Sequence, residues 1–150
     1  MLRAKGFTLL ELMVVLAISA LLIGMAPMAY SRLKEAMDYR STIRTLRADL
    51  REARMLARVQ GAEVRFNVDV ERRAFRIEGR PWQAIPEPLG LRLTIGGIDW
   101  NAARVGAIRF LPDGGATGGS IDLMRPSGDG TRLQIDWLSG RIALVALAER

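Results

Sequence analysis

Residues 6–29 read Gly-Phe-Thr-Leu-Leu-Glu-Leu-Met-Val-Val-Leu-Ala-Ile-Ser-Ala-Leu-Leu-Ile-Gly-Met-Ala-Pro-Met-Ala, an apolar run with one carboxylate, Glu11, near its start. From residue 12 to residue 29 the only polar side chain is that of Ser19. A helix of about 18 residues rises about 27 Å, which is close to the hydrocarbon thickness of a bilayer. The run therefore predicts a transmembrane helix over residues 7–29.

Glu11 is costly in such a helix, because a charged side chain within a bilayer costs about 2.5–3.5 kcal/mol even by insertion scales. A buried charge needs a partner, so this carboxylate indicates a functional contact. The alternative is a glutamate that stays at the membrane interface and has no role. A secretory signal peptide is a further alternative, since Ala26 and Ala29 resemble its small-residue cleavage site. Its apolar region is shorter than this run, at about 7–15 residues.

The composition disfavours an enzyme. The 150 residues contain no cysteine and no histidine, which excludes disulfides, thiol chemistry, Ser-His-Asp triads and histidine-ligated metals. No convergent pair of acids is visible either, so a membrane-anchored enzyme is the weakest hypothesis. We expect no catalytic residue, no cofactor and no metal.

The formal charge of +6 suits nucleic acid, anionic lipid or an acidic protein surface, and selects none of them. Arg3 and Lys5 before the apolar run favour a cytoplasmic N-terminus. Arg32, Lys34 and Arg40 crowd the other end, however, so charge alone does not settle the topology.

Gly6-Phe7-Thr8-Leu9-Leu10-Glu11, after a short basic leader, resembles the class III signal of type IV pilins and type II secretion pseudopilins. The resemblance implies that the prepilin peptidase cleaves after Gly6 and that Phe7 is then N-methylated. It also implies a single-pass protein of the bacterial inner membrane, with residues 1–6 as a cytoplasmic leader and a periplasmic C-terminal domain. Glu11 of one subunit would then meet the new N-terminal amine of a neighbour, which gives both buried charges a partner.

Residues 30–60 contain no Gly or Pro and predict an amphipathic helix that continues the membrane helix and ends at Gly61. The apolar positions recur at spacings of three and four: Tyr39, Ile43, Leu46, Leu50, Ala53 and Ala57.

A second stripe on this helix is basic, and we call it the arginine stripe. Its members are Arg40, Arg44, Arg47, Arg51, Arg54 and Arg58. At 100° per residue they share one arc beside the apolar face. Three interpretations stay open: a solvated flank whose long stems cover the edge of the core, a seam facing acidic residues of adjacent subunits, or a phosphate-binding surface. The stripe contains no aromatic residue, so base stacking has no support.

Residues 61–150 change to a period of two, which predicts a β-rich domain. Val64, Phe66 and Val68 alternate with polar residues, as do Phe75 and Ile77, and predict a hairpin. Residues 80–90 hold three prolines and predict a loop. A strand is expected at residues 91–95, and further strands at 106–111, 120–124, 131–137 and 141–147. The predicted fold class is α+β and pilin-like, with one long helix packed on an antiparallel sheet.

The stretch Phe110-Leu111-Pro112-Asp113-Gly114-Gly115-Ala116-Thr117-Gly118-Gly119, with the later Leu138-Ser139-Gly140-Arg141-Ile142, resembles the GspH/FimT domain. We call residues 110–119 the glycine loop. The resemblance marks as its motif Phe110, Pro112, Asp113, Gly114, Thr117, Gly118, Gly119, Gly140 and Arg141. The residues of the loop by themselves allow three interpretations. The loop is a tight turn in which glycine supplies positive φ, or it is a phosphate-binding loop, although the expected Lys-Ser/Thr does not follow. The third interpretation is a calcium site formed with Asp129, for which the oxygen ligands are few and scattered.

The family resemblance implies a minor pseudopilin of the type II secretion system, near the tip of a periplasmic pseudopilus that helps export folded proteins. Its implied partners are other major and minor pseudopilins, the prepilin peptidase and the inner-membrane secretion platform, with the secretin or secreted substrate as further candidates. The alternative is a FimT-like minor pilin of type IV pili that binds DNA in natural transformation. In that case the arginine stripe, Arg141 and Arg150 would contact the nucleic acid.

Overall fold

The computed structural model of the chain describes residues 7–96, 98–100 and 105–148, with the side chains of residues 24–32 and 98–100 left undescribed. The predicted leader, residues 1–6 with Gly6, lies outside the described residues, as does Arg150. Contacts divide the chain into two compact units, Met1–Met37 and Asp38–Arg150. The finer division at residues 6, 29 and 60 stays a prediction.

Helix α1 (Leu9–Gln60) ends where the sequence predicts. Gly61 follows with φ of 63°, and the Ala62 N–H donates to the Ala57 carbonyl across 3.3 Å. This is the Schellman arrangement, in which a left-handed glycine closes the last turn. The predicted apolar face is confirmed, because Tyr39, Leu46, Leu50, Ala53 and Ala57 are buried and Ile43 packs against them.

The second unit contains nine described strands, whose bounds follow in chain order. They are β1 (Val64–Asp69), β2 (Ala74–Ile77), β3 (Gln83–Ala84), β4 (Gly90–Ile95), β5 (Ile98–Trp100), β6 (Val105–Phe110), β7 (Gly119–Met124), β8 (Gly130–Ile135) and β9 (Ile142–Leu147). The β1–β2 hairpin is confirmed, with Phe66 opposite Ile77. Strands β3 and β5 were not predicted, because an alternating pattern cannot be recognised in only two or three residues.

The strands form two antiparallel sheets rather than the one sheet we expected. A four-stranded sheet has the order β3-β2-β1-β6, and a five-stranded sheet has the order β5-β4-β7-β8-β9. Strand β6 belongs to the first sheet because it pairs with β1. It also lies close to β4, since a Cβ on Gly106 would be 2.3 Å from the Leu93 side chain. The expected α+β class is confirmed, with a helix packed on antiparallel sheets.

The core of this unit lies between the helix and both sheets. Its largest fully buried side chains include Phe66 and Phe110 of the first sheet and Leu123 and Leu133 of the second. Leu46 and Leu50 supply the helical side. This arrangement leaves most of the arginine stripe and strand β9 on the surface.

Candidate functional site

The N-terminus of α1 carries a capping arrangement that includes Glu11. The Glu11 backbone N–H donates to Thr8 Oγ1 across 3.2 Å, and the Leu12 N–H donates to the Thr8 carbonyl across 3.2 Å. Thr8 and Glu11 have the spacing of a capping box, in which a threonine caps the helix and an acid follows three residues later. Glu11 therefore also favours the helix start through the helix dipole, a contribution that our sequence analysis did not recognise.

The described part of the first unit exposes large apolar side chains all round the helix. Leu9 is 82% exposed and Ile23 is 72% exposed, and the residues between them follow the same trend. Within the described residues, no helical stretch is both long enough and apolar enough to pass through a membrane. Residues 24–29 of the predicted span have side chains outside that described part.

The glycine loop is a tight turn, held by hydrogen bonds between its own residues. The Asp113 carboxylate accepts the Gly115 N–H at 2.9 Å, and the Gly114 N–H donates to the Leu111 carbonyl at 3.0 Å. Thr117 then returns to β6, because its hydroxyl accepts the Arg109 N–H and its own N–H donates to the Arg109 carbonyl. The tight-turn interpretation fits this geometry, and the Asp113 carboxylate already has a donor.

The calcium interpretation finds no support in these carboxylates. Asp129 is held in a different turn by Arg125, at 2.8 Å, and by the Ser127 hydroxyl. Among the described residues, no three acidic side chains gather as a cation site would require.

Positions 140 and 119 require glycine, because the backbone of another segment lies too close to leave room for a Cβ. Gly140 has φ of 62°, and a Cβ there would lie 2.4 Å from the Gly114 carbonyl oxygen. Gly119 has φ of 136°, and its Cβ would lie 2.4 Å from the Thr94 carbonyl oxygen. The separated motif segments therefore contact each other directly, which explains why glycine recurs in both.

Arg54 joins the arginine stripe to these two turns. Its Nη2 donates to the Ser139 carbonyl at 2.8 Å, and its Nε lies 3.4 Å from the Gly114 carbonyl. A cavity of about 470 Å³ beside it is lined by three stripe arginines and by Met55, Val59 and Pro112. Arg54 thus has a structural role within this chain, since a guanidinium satisfies carbonyls from both turns.

The remaining members of the motif occupy ordinary structural positions. Phe110 is fully buried at the end of β6, and Pro112 lines the cavity beside the helix. Gly118 has φ of 73° next to the Trp137 side chain. Arg141 is exposed, and its carbonyl accepts the Asp136 N–H at 3.0 Å. The motif residues therefore build one end of the domain.

The Asp136–Ser139 turn supports this end of the domain. Ser139 donates to Asp136 Oδ1 from its hydroxyl at 2.6 Å and from its backbone N–H at 2.7 Å. These bonds, the hydroxyl first, hold the pKa of the Asp136 carboxyl below its usual value.

The other arginines of the stripe are left without carboxylate partners. Arg40, Arg44, Arg51 and Arg58 are exposed, and Arg47 is half-buried. Within the described chain, none of the six guanidinium groups lies in a salt bridge. Like charges one helical turn apart destabilise a helix by about 0.2–0.5 kcal/mol per pair. The five successive pairs of the stripe would therefore destabilise an isolated helix by about 1–2.5 kcal/mol.

The acids of the helix point to its opposite flank, as the helical spacing predicts. Glu52 forms a two-pronged ion pair with Arg80, at 2.6 and 2.9 Å, which lowers the pKa of the Glu52 carboxyl. Asp49 accepts a hydrogen bond from Gln83 at 2.6 Å, while partial burial raises the pKa of its carboxyl. These contacts hold that flank against β3 and the β2–β3 connection, so the two carboxylates are unavailable to the arginine stripe.

Two polar clusters in the second sheet were missed by the sequence analysis. Asp122, 1% exposed, receives two hydrogen bonds from Arg132, at 2.7 and 2.8 Å. Tyr39 bonds Thr131 at 2.7 Å, and the Arg125 guanidinium lies 4.1 Å from the Tyr39 ring centre. Asp122 and Arg132 are cross-strand partners, so only the β7–β8 register could have revealed the first pair.

The edge of the second sheet is apolar and exposed. Strand β9 buries none of its six residues fully, and Leu144 and Val145 are 42% and 44% exposed. Trp137 and Leu138, in the turn before it, are 67% and 70% exposed. Exposed apolar surface of this kind marks interaction sites.

Comparisons of the sequence with known proteins identify its family. Residues 1–27 match the family model described as prokaryotic N-terminal methylation motif, and residues 42–140 match the model described as type II transport protein GspH. Type II secretion system protein H of Xanthomonas campestris pv. campestris is 31% identical over 140 residues, which cover 93% of this chain and 82% of that protein.

A solved structure shares the fold. The minor pseudopilin EpsH from the type 2 secretion system of Vibrio cholerae superposes with a TM-score of 0.56 over 73% of this chain and 97% of that chain, at 16% identity. The GspH model spans more than half of the chain, and the Xanthomonas protein is similar along nearly all of it. The chain therefore belongs to the GspH family of type II transport proteins.

Proposed function

We propose that this chain is a minor pseudopilin of the type II secretion system, a structural subunit without catalytic activity. The observation that carries the proposal is the order of its parts. A prokaryotic N-terminal methylation motif leads into α1, and the GspH domain follows on the same chain. The position near the tip of the periplasmic pseudopilus, and a role in exporting folded proteins, are part of the proposal.

The processing steps belong to the same proposal. The prepilin peptidase cleaves between Gly6 and Phe7, and Phe7 is N-methylated. The basic leader stays in the cytoplasm, the helix of residues 7–29 crosses the inner membrane, and residues 61–150 lie in the periplasm. The exposed apolar surface of residues 9–23 supports this, because such a surface needs lipid or neighbouring helices to cover it.

Glu11 is proposed to guide assembly. Its side chain is exposed, and no salt bridge within the described chain involves it. In a stack of subunits it would pair with the Phe7 amine of a neighbour, so each charge leaves water with a partner. The other proposed partners are major and minor pseudopilins, the inner-membrane secretion platform and, beyond them, the secretin or secreted substrate.

The test uses the full chain in a bacterium that contains its secretion machinery. Glu11→Ala should be cleaved normally, as mass spectrometry shows, but should cross-link poorly to other pseudopilins. Glu35→Ala is the matched control, because it removes a carboxylate from α1 outside the apolar run. Normal cross-linking of Glu11→Ala would refute the charge-pair role. Gly6→Val should leave the leader uncleaved, and an unchanged mature mass would refute the cleavage site.

A DNA-binding minor pilin is the second candidate, and the observation that favours it is that the exposed stripe arginines have no carboxylate partner in the described chain. The Xanthomonas relative, named as a secretion protein, supports the first candidate instead. Phosphate contacts release counterions, so DNA binding would weaken steeply as salt rises. Absence of salt-dependent DNA binding by the purified chain would exclude the second candidate.

A further inference from the structure

Strand β9 is an unprotected sheet edge. Among the described strands its neighbour is β8, and its other side is open. Proteins usually guard such an edge with charged residues, proline or a bulge, because free backbone groups recruit another strand. The six residues of β9 read Ile-Ala-Leu-Val-Ala-Leu and contain no charge and no proline. The edge is therefore built to accept a strand.

Further exposed apolar side chains lie in the turn before β9. Trp137 and Leu138 lie in the β8–β9 turn, and both are more than two-thirds exposed. Tryptophan is enriched among the residues that dominate binding energy at protein interfaces. The turn and the strand thus both expose apolar side chains, and we call them together the β9 edge.

The helix contacts strand β8 and the turn that leads into β9. The Tyr39–Thr131 and Arg54–Ser139 hydrogen bonds place the helix along β8, on the sheet face that carries Leu133. The opposite flank of the helix contacts the β2–β3 connection through Glu52 and strand β3 through Asp49. From these contacts we infer that the exposed stripe arginines, on the flank away from the β2–β3 connection, face the side on which a strand added to β9 would lie.

We propose that the β9 edge binds an extended acidic segment of another protein as an additional strand. Such a strand would lie about 4.8 Å from β9 and would alternate its side chains between the two faces. Carboxylates on the helix-facing side would meet the arginine stripe, and apolar residues on the other side would cover Val145. The occupant is thus a segment in which Asp or Glu alternates with apolar residues.

The arginine stripe also disfavours a second copy of the chain at this edge. Two antiparallel β9 strands would be related by a two-fold axis perpendicular to the sheet. Both helices would then lie on the same face of the joined sheet, with their arginine stripes turned toward each other. Like charges facing across an interface oppose association, whereas carboxylates neutralise the stripe.

This inference goes beyond the proposed secretion role and does not depend on it, because the surface is defined by β9 and the helix flank alone. Its test uses a fluorescent seven-residue peptide of alternating Glu and Val, with a Lys-and-Val peptide of the same length as the counterpart. The full chain in nonionic detergent should bind the acidic peptide, measured by fluorescence anisotropy, and should not bind the basic one. Equal binding of both peptides, or binding of neither, would overturn the proposal.

Charge reversal tests the arginine stripe. Arg44→Glu with Arg51→Glu should weaken binding of the acidic peptide by about tenfold or more, since two attractive charges become repulsive. Arg72→Glu with Arg109→Glu is the matched control, because it changes the net charge equally, on the β1–β2 turn and on β6. It should change the affinity by less than about twofold. Equal losses in the two variants, with unchanged circular dichroism, would overturn the role of the stripe.

The absence of cysteine from the chain allows a disulfide test of strand pairing. Leu144→Cys and Val145→Cys would each be tested against acidic peptides that carry cysteine at successive positions. Paired strands should give cross-links at every second peptide position, with the pattern shifted by one between the two variants. Uniform cross-linking would overturn strand pairing. Val145→Cys chains that link to each other despite excess acidic peptide would overturn the proposed occupant in favour of a second copy.

Discussion

Gly140→Ala is expected to destabilise the unit Asp38–Arg150 far more than an ordinary glycine substitution. The added Cβ would lie 2.4 Å from the Gly114 carbonyl oxygen and 3.0 Å from Arg54 Nε. The first contact is with backbone, so the β8–β9 turn and the glycine loop would have to separate. That separation would also strain the Arg54 hydrogen bond to the Ser139 carbonyl.

The expected loss in the free energy of unfolding has three contributions. A left-handed backbone costs a non-glycine residue about 1–2 kcal/mol. Forcing extra volume into a packed contact costs about 1–3 kcal/mol, and a lost hydrogen bond to a charged group about 1.5–3 kcal/mol. Because the last contribution is lost only in part, we expect about 3–5 kcal/mol for Gly140→Ala.

Gly61→Ala provides the matched control. Gly61 has φ of 63°, against 62° for Gly140, but a Cβ there would have no atom within 4 Å. It should therefore show the backbone cost alone, about 1–2 kcal/mol. Denaturant unfolding of both variants and the parent chain in mild detergent, followed by circular dichroism, gives the difference. If the two variants lie within about 0.5 kcal/mol of each other, the close packing of the two turns is refuted.

Two further predictions concern ionic contacts in the second sheet and in its turn. Arg132→Leu should lower the free energy of unfolding by about 3 kcal/mol, because it leaves the buried Asp122 carboxylate without its guanidinium partner. The double variant that also carries Asp122→Leu should recover at least half of this loss in the same unfolding assay. Ser139→Ala should raise the pKa of Asp136 toward its usual value, measured by carboxyl NMR titration. Because the pKa of Asp136 is lowered in the fold, its carboxylate stabilises the fold above the pKa of the unfolded chain, and this stabilisation is lost as pH falls through the folded pKa. An unchanged pKa in Ser139→Ala would show that the hydroxyl contributes nothing.

The sequence predicted most of the secondary structure in this chain. The spacing of Tyr39, Leu46 and Leu50 defines the buried helix face, and the first β hairpin follows from alternation around Phe66 and Phe75. Both are local patterns with a fixed period, so they can be read without knowledge of distant residues. The glycine-loop turn and the family resemblance were likewise readable from contiguous residues.

The division into two sheets was not readable, because it depends on which strands pair. Strand β6 could have joined either sheet by its pattern, and only its pairing with β1 decides. The Asp122–Arg132 pair could not be predicted for the same reason, since the partners are ten positions apart in the sequence and only the register brings them together.

The candidate surfaces divide in the same way. The sequence by itself determined the apolar N-terminal run with Glu11, the row of arginines along one helix flank and the glycines of the two motif segments, because each is set by composition or by helical spacing. Only the tertiary structure decided that Arg54 is used internally, that Gly140 packs against Gly114 and that β9 is an open apolar edge strand. The physical reason is that contacts between distant segments depend on sheet order and register, which no local period encodes.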